Sequence, residues 1–284
     1  MSSPADAPLL PPDSHVHSEW SWDALAGSME RTCERAVEIG LPSLAFTEHA
    51  DFTPWSLGDD VEIPDAWRPL VSGKVLTPPA LDLDGYRACL ERCRERFPAL
   101  RILSGVELGE PHWHGHGAGE LLARGEFDRV LASLHCLPVD GGYADLSNSY
   151  GDRSPGTVVR AYLAEVAAMI ERFDGFEVLA HVDYPVRYWP VGGEPYEPAA
   201  FEDDYRVVLR ALAGAGKALE INTRVPLDPV VVRWWYEEGG QAVTFASDAH
   251  EPDLVAHGLV EASAMAGACG FRPGAHPYDF WRRA

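Results

Sequence analysis

Apolar and polar positions along the chain switch between two periods, and the switches mark out a repeating unit. Residues 28–39 repeat with helical spacing and stop at Gly40, after which the apolar run 43–47 reads as a strand that delivers Glu48 and His49. The alternation then recurs: helix 84–97 and strand 101–106 with Glu107 at its end, then strand 127–134 delivering His135. Helix 155–173 leads to strand 177–180, which ends at His181, and helix 199–215 leads to strand 218–221, which ends at Asn222. Helix 230–238, the last strand 242–247 and a closing helix 252–268 complete the pattern, which amounts to seven strand-helix units once a first strand near Asp13 is included. Two stretches break it. Residues 50–79, rich in Pro, Gly, Asp and Trp, read as a long loop over the mouth of the fold, and a second long loop carries Gly141, Gly142 and Gly151.

Strands alternating with helices imply a parallel sheet with right-handed crossovers, and seven such units can close into a barrel. The functional face of a parallel α/β barrel is the rim formed by the C-terminal ends of its strands. The polar residues that end the apolar runs all fall on that rim. In the stretch Asp13-Ser14-His15-Val16-His17-Ser18, an extended backbone puts His15 and His17 on the same side, where they can grip one metal ion. His49, Glu107, His135, His181, Asp248 and His250 follow at later strand ends. A single histidine in such a place is more often a packed or surface residue. Its recurrence at successive strand ends is what argues for a site, since a purely structural explanation requires many buried imidazoles and carboxylates to find partners without a metal.

Composition narrows the choice. A chain of 284 residues, 46% hydrophobic, can bury one large core, and the expected organisation is a single domain, 1–284. A formal net charge of -21 argues against nucleic acid as a partner. Residues 1–12 lack a basic, apolar leader, and no run approaches the roughly 18 apolar residues of a membrane span, so a cytoplasmic protein without a membrane partner is expected. The cysteines, five in number, lack paired metal-ribbon spacing and read as reduced thiols.

Taken together, Asp13-Ser14-His15-Val16-His17-Ser18 with Asp23, Thr47-Glu48-His49-Ala50-Asp51, Gly105-Val106-Glu107, Ser133-Leu134-His135, Ala180-His181-Val182-Asp183 and Ser247-Asp248-Ala249-His250 resemble the ordered motifs of the PHP (polymerase and histidinol phosphatase) superfamily. Within it the chain is most similar to the histidinol-phosphate phosphatases. The resemblance implies an α/β fold, a distorted (β/α)7 barrel with the active site at the C-terminal ends of the strands. It also implies up to three divalent metal ions, with zinc, manganese or iron expected and magnesium possible. His15, His17, Glu107 and Asp248 would hold the first, Glu107 would bridge to a second held by His135 and His181, and Asp23, His49 and His250 would hold the third. Asp23 stands where many relatives have histidine, which hardens that site. Glu48, Asp183 and Asn222 could orient the histidine rings.

The implied activity is hydrolysis of a small phosphorylated metabolite by a metal-bound hydroxide, with Glu107, Asp248 and His250 nearest the chemistry. Arg187, Arg224 and Arg153 are the candidates for binding phosphate, although Arg224-Val225-Pro226 departs from the family's usual Ser-Gly-Leu. Three alternatives stay open: a phosphatase for another small ester, an amidohydrolase-type hydrolase, and a noncatalytic metal-binding module. Against the second, the lysines, Lys74 and Lys217, do not follow strands. Pro111-His112-Trp113-His114-Gly115-His116 reads as a solvated loop near the mouth, with an auxiliary metal or substrate contact as the other option. Trp20, Trp22, Trp55, Tyr143 and Tyr188 could line a pocket for an organic leaving group, whereas His257 and His276 read as surface residues. Gly214-Ala215-Gly216-Lys217 leads into a strand and is not a phosphate loop.

Overall fold

The computed structural model describes residues 10–58, 62–151 and 153–284. Most of the N-terminal stretch read for targeting signals (1–9) and a short piece of the first long loop (59–61) lie outside the described residues. Among the described residues, no helix is long and apolar enough to cross a membrane.

A curled, mainly parallel sheet organises the molecule. Its strands are β1 (Asp13–Val16), β2 (Ser43–Asp51), β3 (Arg101–Gly109), β4 (Arg129–Ser133), β5 (Val178–Leu179), β6 (Ala218–Asn222) and β7 (Ala242–Ala246), adjacent in that order. Helices pack outside it: α1 (Met29–Glu38), α2 (Leu83–Arg96), α3 (Gly115–Gly125), α4 (Pro155–Arg172), α5 (Glu202–Gly214), α6 (Pro229–Glu237) and α7 (Leu259–Ala268). Local chemistry sets several of their starts. Ser28, Asp82, Ser154 and Asp228 cap α1, α2, α4 and α6 by accepting from free backbone N–H groups, and proline follows directly at the first turn of α4 and α6. Leu, Val, Tyr and Trp from the inner helix faces meet the outer face of the sheet in one large core, which includes Tyr86, Tyr162, Tyr205 and Trp235.

At the open side of the curl, the chain after β7 meets β1. His17 N donates to Ala249 O (2.8 Å) and Asp248 N donates to His15 O (2.9 Å), so the ends of the first and seventh strands are tied together. β2 and β3 pair along their whole length, from Ser43 opposite Arg101 to Asp51 opposite Gly109. A side chain at Gly109 would collide with the Asp51 carboxylate, so glycine there admits Asp51 to the rim.

Several expectations are corrected. Strand pairing extends beyond seven strands: β8 (Phe271–Arg272) and β9 (Trp281–Arg283) add to the edge of β7 as an antiparallel pair, giving a nine-stranded sheet. The long loop at 50–79 is partly ordered, because its two-residue strands Trp55–Ser56, Val71–Ser72 and Val75–Leu76 join the hairpin Cys136–Val139 and Gly142–Asp145 in a five-stranded sheet. The closing helix 252–268 is two pieces, a single 3-10 turn at Pro252–Leu254 and then α7, separated by Gly258 at φ +68°. α3 begins inside the stretch read as a loop, 111–116, and continues through residues given no element, because Gly115, Gly117, Gly119 and Gly125 depress its intrinsic helix propensity.

Candidate metal centre

Glu107, fully buried near the end of β3, is the hub of the site. Its Oε2 lies 3.1 Å from His15 Nε2 and 3.4 Å from His17 Nε2, while its Oε1 lies 2.8 Å from His181 Nε2 and 3.4 Å from His135 Nε2. His49 Nδ1 also approaches Oε2, at 3.3 Å, so one oxygen faces three imidazoles and the other two. Asp248 Oδ1 approaches the first pair, 3.5 Å from His17 Nε2 and 3.9 Å from His15 Nε2. It is carried by a backbone at φ +53°, an uncommon conformation for a residue other than glycine, held by the hydrogen bond to His15 O. On the outer side, Asp23 Oδ2 lies 3.2 Å from His250 Nε2 and 3.4 Å from His49 Nε2. Every residue expected to hold metal therefore converges on this rim.

The donor set fits divalent cations. Ligand atoms within 4.8 Å of one another form the groups His15/His17/Glu107, Glu107/His135/His181, His17/His49/His250 and His49/Asp51/His135. The first two fall within the expected groupings, without Asp248; the last two cut across them, placing His17 with His49 and His250 and joining His49 to His135 through Asp51, and neither includes Asp23. Hydrogen bonding also presets the rings. Ser21 Oγ donates to Glu48, so His17 Nδ1–H donates to Ser21 at 2.9 Å; Glu220 Oε2 accepts from His15 Nδ1–H at 2.8 Å. Both rings then present Nε2 inward, and these atoms face each other at 2.9 Å, a contact between lone pairs that a shared cation or proton relieves. His17 also lies 4.3 Å, stacked, from His49 and 4.2 Å from His250, centroid to centroid.

Electrostatics follow the same geometry. Burial, reinforced by His250 and His49, lowers His17 to about 4, so it stays a neutral donor. For His15 burial favours the neutral ring, but Glu220, Glu107 and Asp248 outweigh it and raise the imidazole well above its ordinary range. His49 likewise is pushed up to about 10 by Asp23, Asp51 and Glu107 against its burial. Burial would raise Glu107 and Asp248; the surrounding histidines, together with Arg187 for Asp248, hold both well below the usual carboxylate range.

The supporting layer differs in part from expectation. Glu48 acts through Ser21 rather than on a ring directly. Asn222 hydrogen-bonds to no histidine; its Nδ2 donates to Glu220 Oε1 (2.8 Å) and Asp248 Oδ2 (3.3 Å). Asp183 makes no hydrogen bond to His181, whose Nδ1 has no partner among the described residues. Glu220 is the orienting group that sequence reasoning missed, taking His15 Nδ1 on one oxygen and His181 N and Asn222 on the other. Ala218, Glu220 and Asn222 share one face of β6, and polar residues at period two inside an apolar strand were the available signal. Glu110, also missed, sits at φ +46° and accepts from the backbone N–H groups of His135 and Cys136. The Cys136 thiol is pushed well above its ordinary range by burial and Glu110, so it stays protonated.

A cavity of about 510 Å³ opens over these residues and is walled by Trp22, Trp55, Trp67, Tyr184 and Tyr188. Arg187, largely buried in its wall, donates to Asp248, and Arg224, half-exposed, places Nη1 3.0 Å from His250 Nδ1. Arg153 is not brought to the cavity; its guanidinium donates to Pro138 O at 3.5 Å. Trp20 packs on Gly85 and Tyr143 stacks on Trp113, so neither lines the cavity. The histidine-rich segment is anchored rather than solvated at its start: Glu165 Oε1 bonds His112 Nε2 (2.7 Å) and Trp113 Nε1 (3.0 Å), and His114 meets Thr53 at 2.9 Å. His116, His257 and His276 are exposed.

A curled α/β sheet that gathers imidazoles and carboxylates at its strand ends defines a class, the α/β proteins built around a multinuclear metal centre. Residues 13–224 match the model of the PHP domain, and the chain belongs to the PHP domain family. The match stops short of Asp248 and His250, which β7 brings back beside β1. The chain is 27% identical over 246 residues to the histidinol-phosphatase of Lactococcus lactis, covering 84% of this chain and 83% of that protein. It is 26% identical over 257 residues to a "probable histidinol-phosphatase" of Thermotoga maritima, covering 88% of each. Among solved structures it resembles histidinol phosphate phosphatase from Lactococcus lactis, complexed with zinc, L-histidinol and phosphate, with a TM-score of 0.75 at 24% identity, over 92% of this chain and 94% of that one.

Proposed function

We propose that the chain, as one domain, is a metal-dependent phosphomonoesterase acting on a small phosphorylated metabolite, with histidinol phosphate the first candidate. The observation that carries this reading is Glu107, whose two oxygens face separate sets of histidines, His15, His17 and His49 at one and His135 and His181 at the other. On this reading the first seven strands of the nine-stranded sheet form a distorted barrel, closed where Val16 bridges Ala249. His15, His17, Glu107 and Asp248 would hold one ion, Glu107, His135 and His181 a second, and Asp23, His49 and His250 a third, with Asp51 near His49 and His135. When bound, divalent ions mask the charge of a phosphate dianion and acidify water.

The chain's own residues do the rest. Arg187 is tethered to Asp248, which holds its planar fork at the cavity wall for a phosphate oxygen. Arg224 supplies a second, more exposed positive charge from the rim. Trp22 and Trp67, 5.0 Å apart by ring centroid, form with Trp55 and Tyr188 a wall for the organic part of the ester and shield the reacting end from bulk water. Asp51 and Asp145 add negative charge to that wall, which suits a leaving group bearing an amine or imidazole. A screen of the purified protein against phosphate monoesters, histidinol phosphate among them, under defined zinc, manganese, iron and magnesium tests the reading. Release of phosphate in a metal-dependent manner is expected, and no release from any member with any metal would overturn it.

A further inference from the structure

A second cavity, larger than the one at the metal centre, lies on the other side of Asn222. It has a volume of about 710 Å³, within the range of small-molecule sites, and runs between the rim of the sheet and α5, α6 and α7. Its walls are largely apolar, with Tyr205, Leu227, Val231 and Met265 prominent. Its charged residues are all acidic: Asp183, Asp228 and Glu261. Asp228 caps α6 with its side chain, and Tyr196 and Tyr205 satisfy each other's hydroxyls at 2.6 Å. Asp183 differs. It is only 7% exposed, its own backbone N–H donates to it, and Arg187 acts on it electrostatically from outside the cavity lining. A carboxylate this buried has little solvation, and neither Lys nor Arg lines this cavity to offset its charge from within.

We propose that this cavity binds an organic ammonium ion, a primary amine carrying an aryl or alkyl body, with the ammonium at Asp183 and the body against Tyr205, Leu227 and Met265. A carboxylate at one end and aromatic and aliphatic walls at the other match that chemistry, since a tyrosine face attracts a cation and apolar walls take up its hydrocarbon. The site is separate from the phosphate-binding mouth and has no lining residue in common with it. Asn222 lines this cavity and also donates to Asp248 and Glu220. The assignment does not depend on which ester the metal centre hydrolyses.

Phenethylammonium is a suitable probe, with 2-phenylethanol as its uncharged counterpart, titrated into metal-loaded protein by calorimetry with inorganic phosphate kept saturating. Saturable binding of the amine is expected, at least tenfold tighter than the alcohol. It should weaken at least tenfold in Asp183→Asn, which keeps the side-chain size, and vanish in Ala262→Phe, which fills the cavity. No saturable binding, equal binding of amine and alcohol, or binding unchanged in Asp183→Asn would each overturn the proposal.

Discussion

Replacing Glu220 by glutamine preserves the shape of a buried side chain while changing one hydrogen-bonding edge. Glu220 Oε2 serves His15 Nδ1 alone at 2.8 Å, whereas Oε1 accepts from His181 N at 3.0 Å and Asn222 Nδ2 at 2.8 Å. The amide oxygen of glutamine is best placed at the edge with two donors, which turns its NH2 toward His15. Two N–H groups then oppose each other unless His15 moves its proton to Nε2, the atom that faces His17 and Glu107. That proton occupies the lone pair a metal needs. Loss of such an outer hydrogen bond costs about 10–100-fold in metal affinity, or about 1.4–2.8 kcal/mol. Chelator competition on wild type and Glu220→Gln, with circular dichroism to confirm the fold, reads the difference. Wild-type affinity in a folded Glu220→Gln protein would refute the claim that Glu220 sets the His15 tautomer for metal binding.

Other outcomes follow from the same geometry. Arg187→Ala is expected to keep its metal content while kcat/KM for phosphate esters falls by roughly 10²–10³-fold, as for loss of one charge-stabilising donor; elemental analysis and phosphate-release kinetics on one preparation check both parts. In chelator-treated protein, burial lowers His49 but Asp23, Asp51 and Glu107 raise it to about 10, above its ordinary 6.5. A raised histidine stabilises the fold fully below pH 6.5, and that contribution is lost as pH climbs through about 10, which denaturant melts at both ends of the window test. Reloading metal within the window should release protons, read by calorimetry in buffers of different ionisation enthalpy. Glu165→Ala unties His112 and Trp113 and should lower stability by about 1–3 kcal/mol, with metal content unchanged in elemental analysis.

The parts of this architecture that are legible in the sequence are those where a polar residue ends an apolar run. His49, Glu107, His135 and His181 are visible that way because a buried strand that stops at an imidazole or carboxylate contradicts its own burial unless something binds there. α3 stayed hidden because its stability comes from packing Ala118 and its neighbours beneath β3, against the propensity of its glycines. The five-stranded sheet over the mouth is assembled from pieces too short to show any period. Glu110 could not be found by spacing, since its partners are backbone groups 25 and 26 positions away. Arg153 shows the converse: a guanidinium in a loop near a ligand strand carries no direction, and this one turns to Pro138.

Metal content and phosphate release, measured together on wild type and Glu107→Gln with histidinol phosphate as substrate, test the bridged centre most directly. Glutamine keeps the length of the side chain but leaves one neutral oxygen and an amide nitrogen where two charged oxygens now face His15, His17 and His49 on one side and His135 and His181 on the other. Wild-type protein is expected to carry more than one equivalent of divalent metal and to show metal-dependent turnover. Glu107→Gln should remain folded, lose metal from both adjoining sites and fall in turnover by orders of magnitude. Full metal loading and near wild-type phosphate release in Glu107→Gln would contradict the bridged centre.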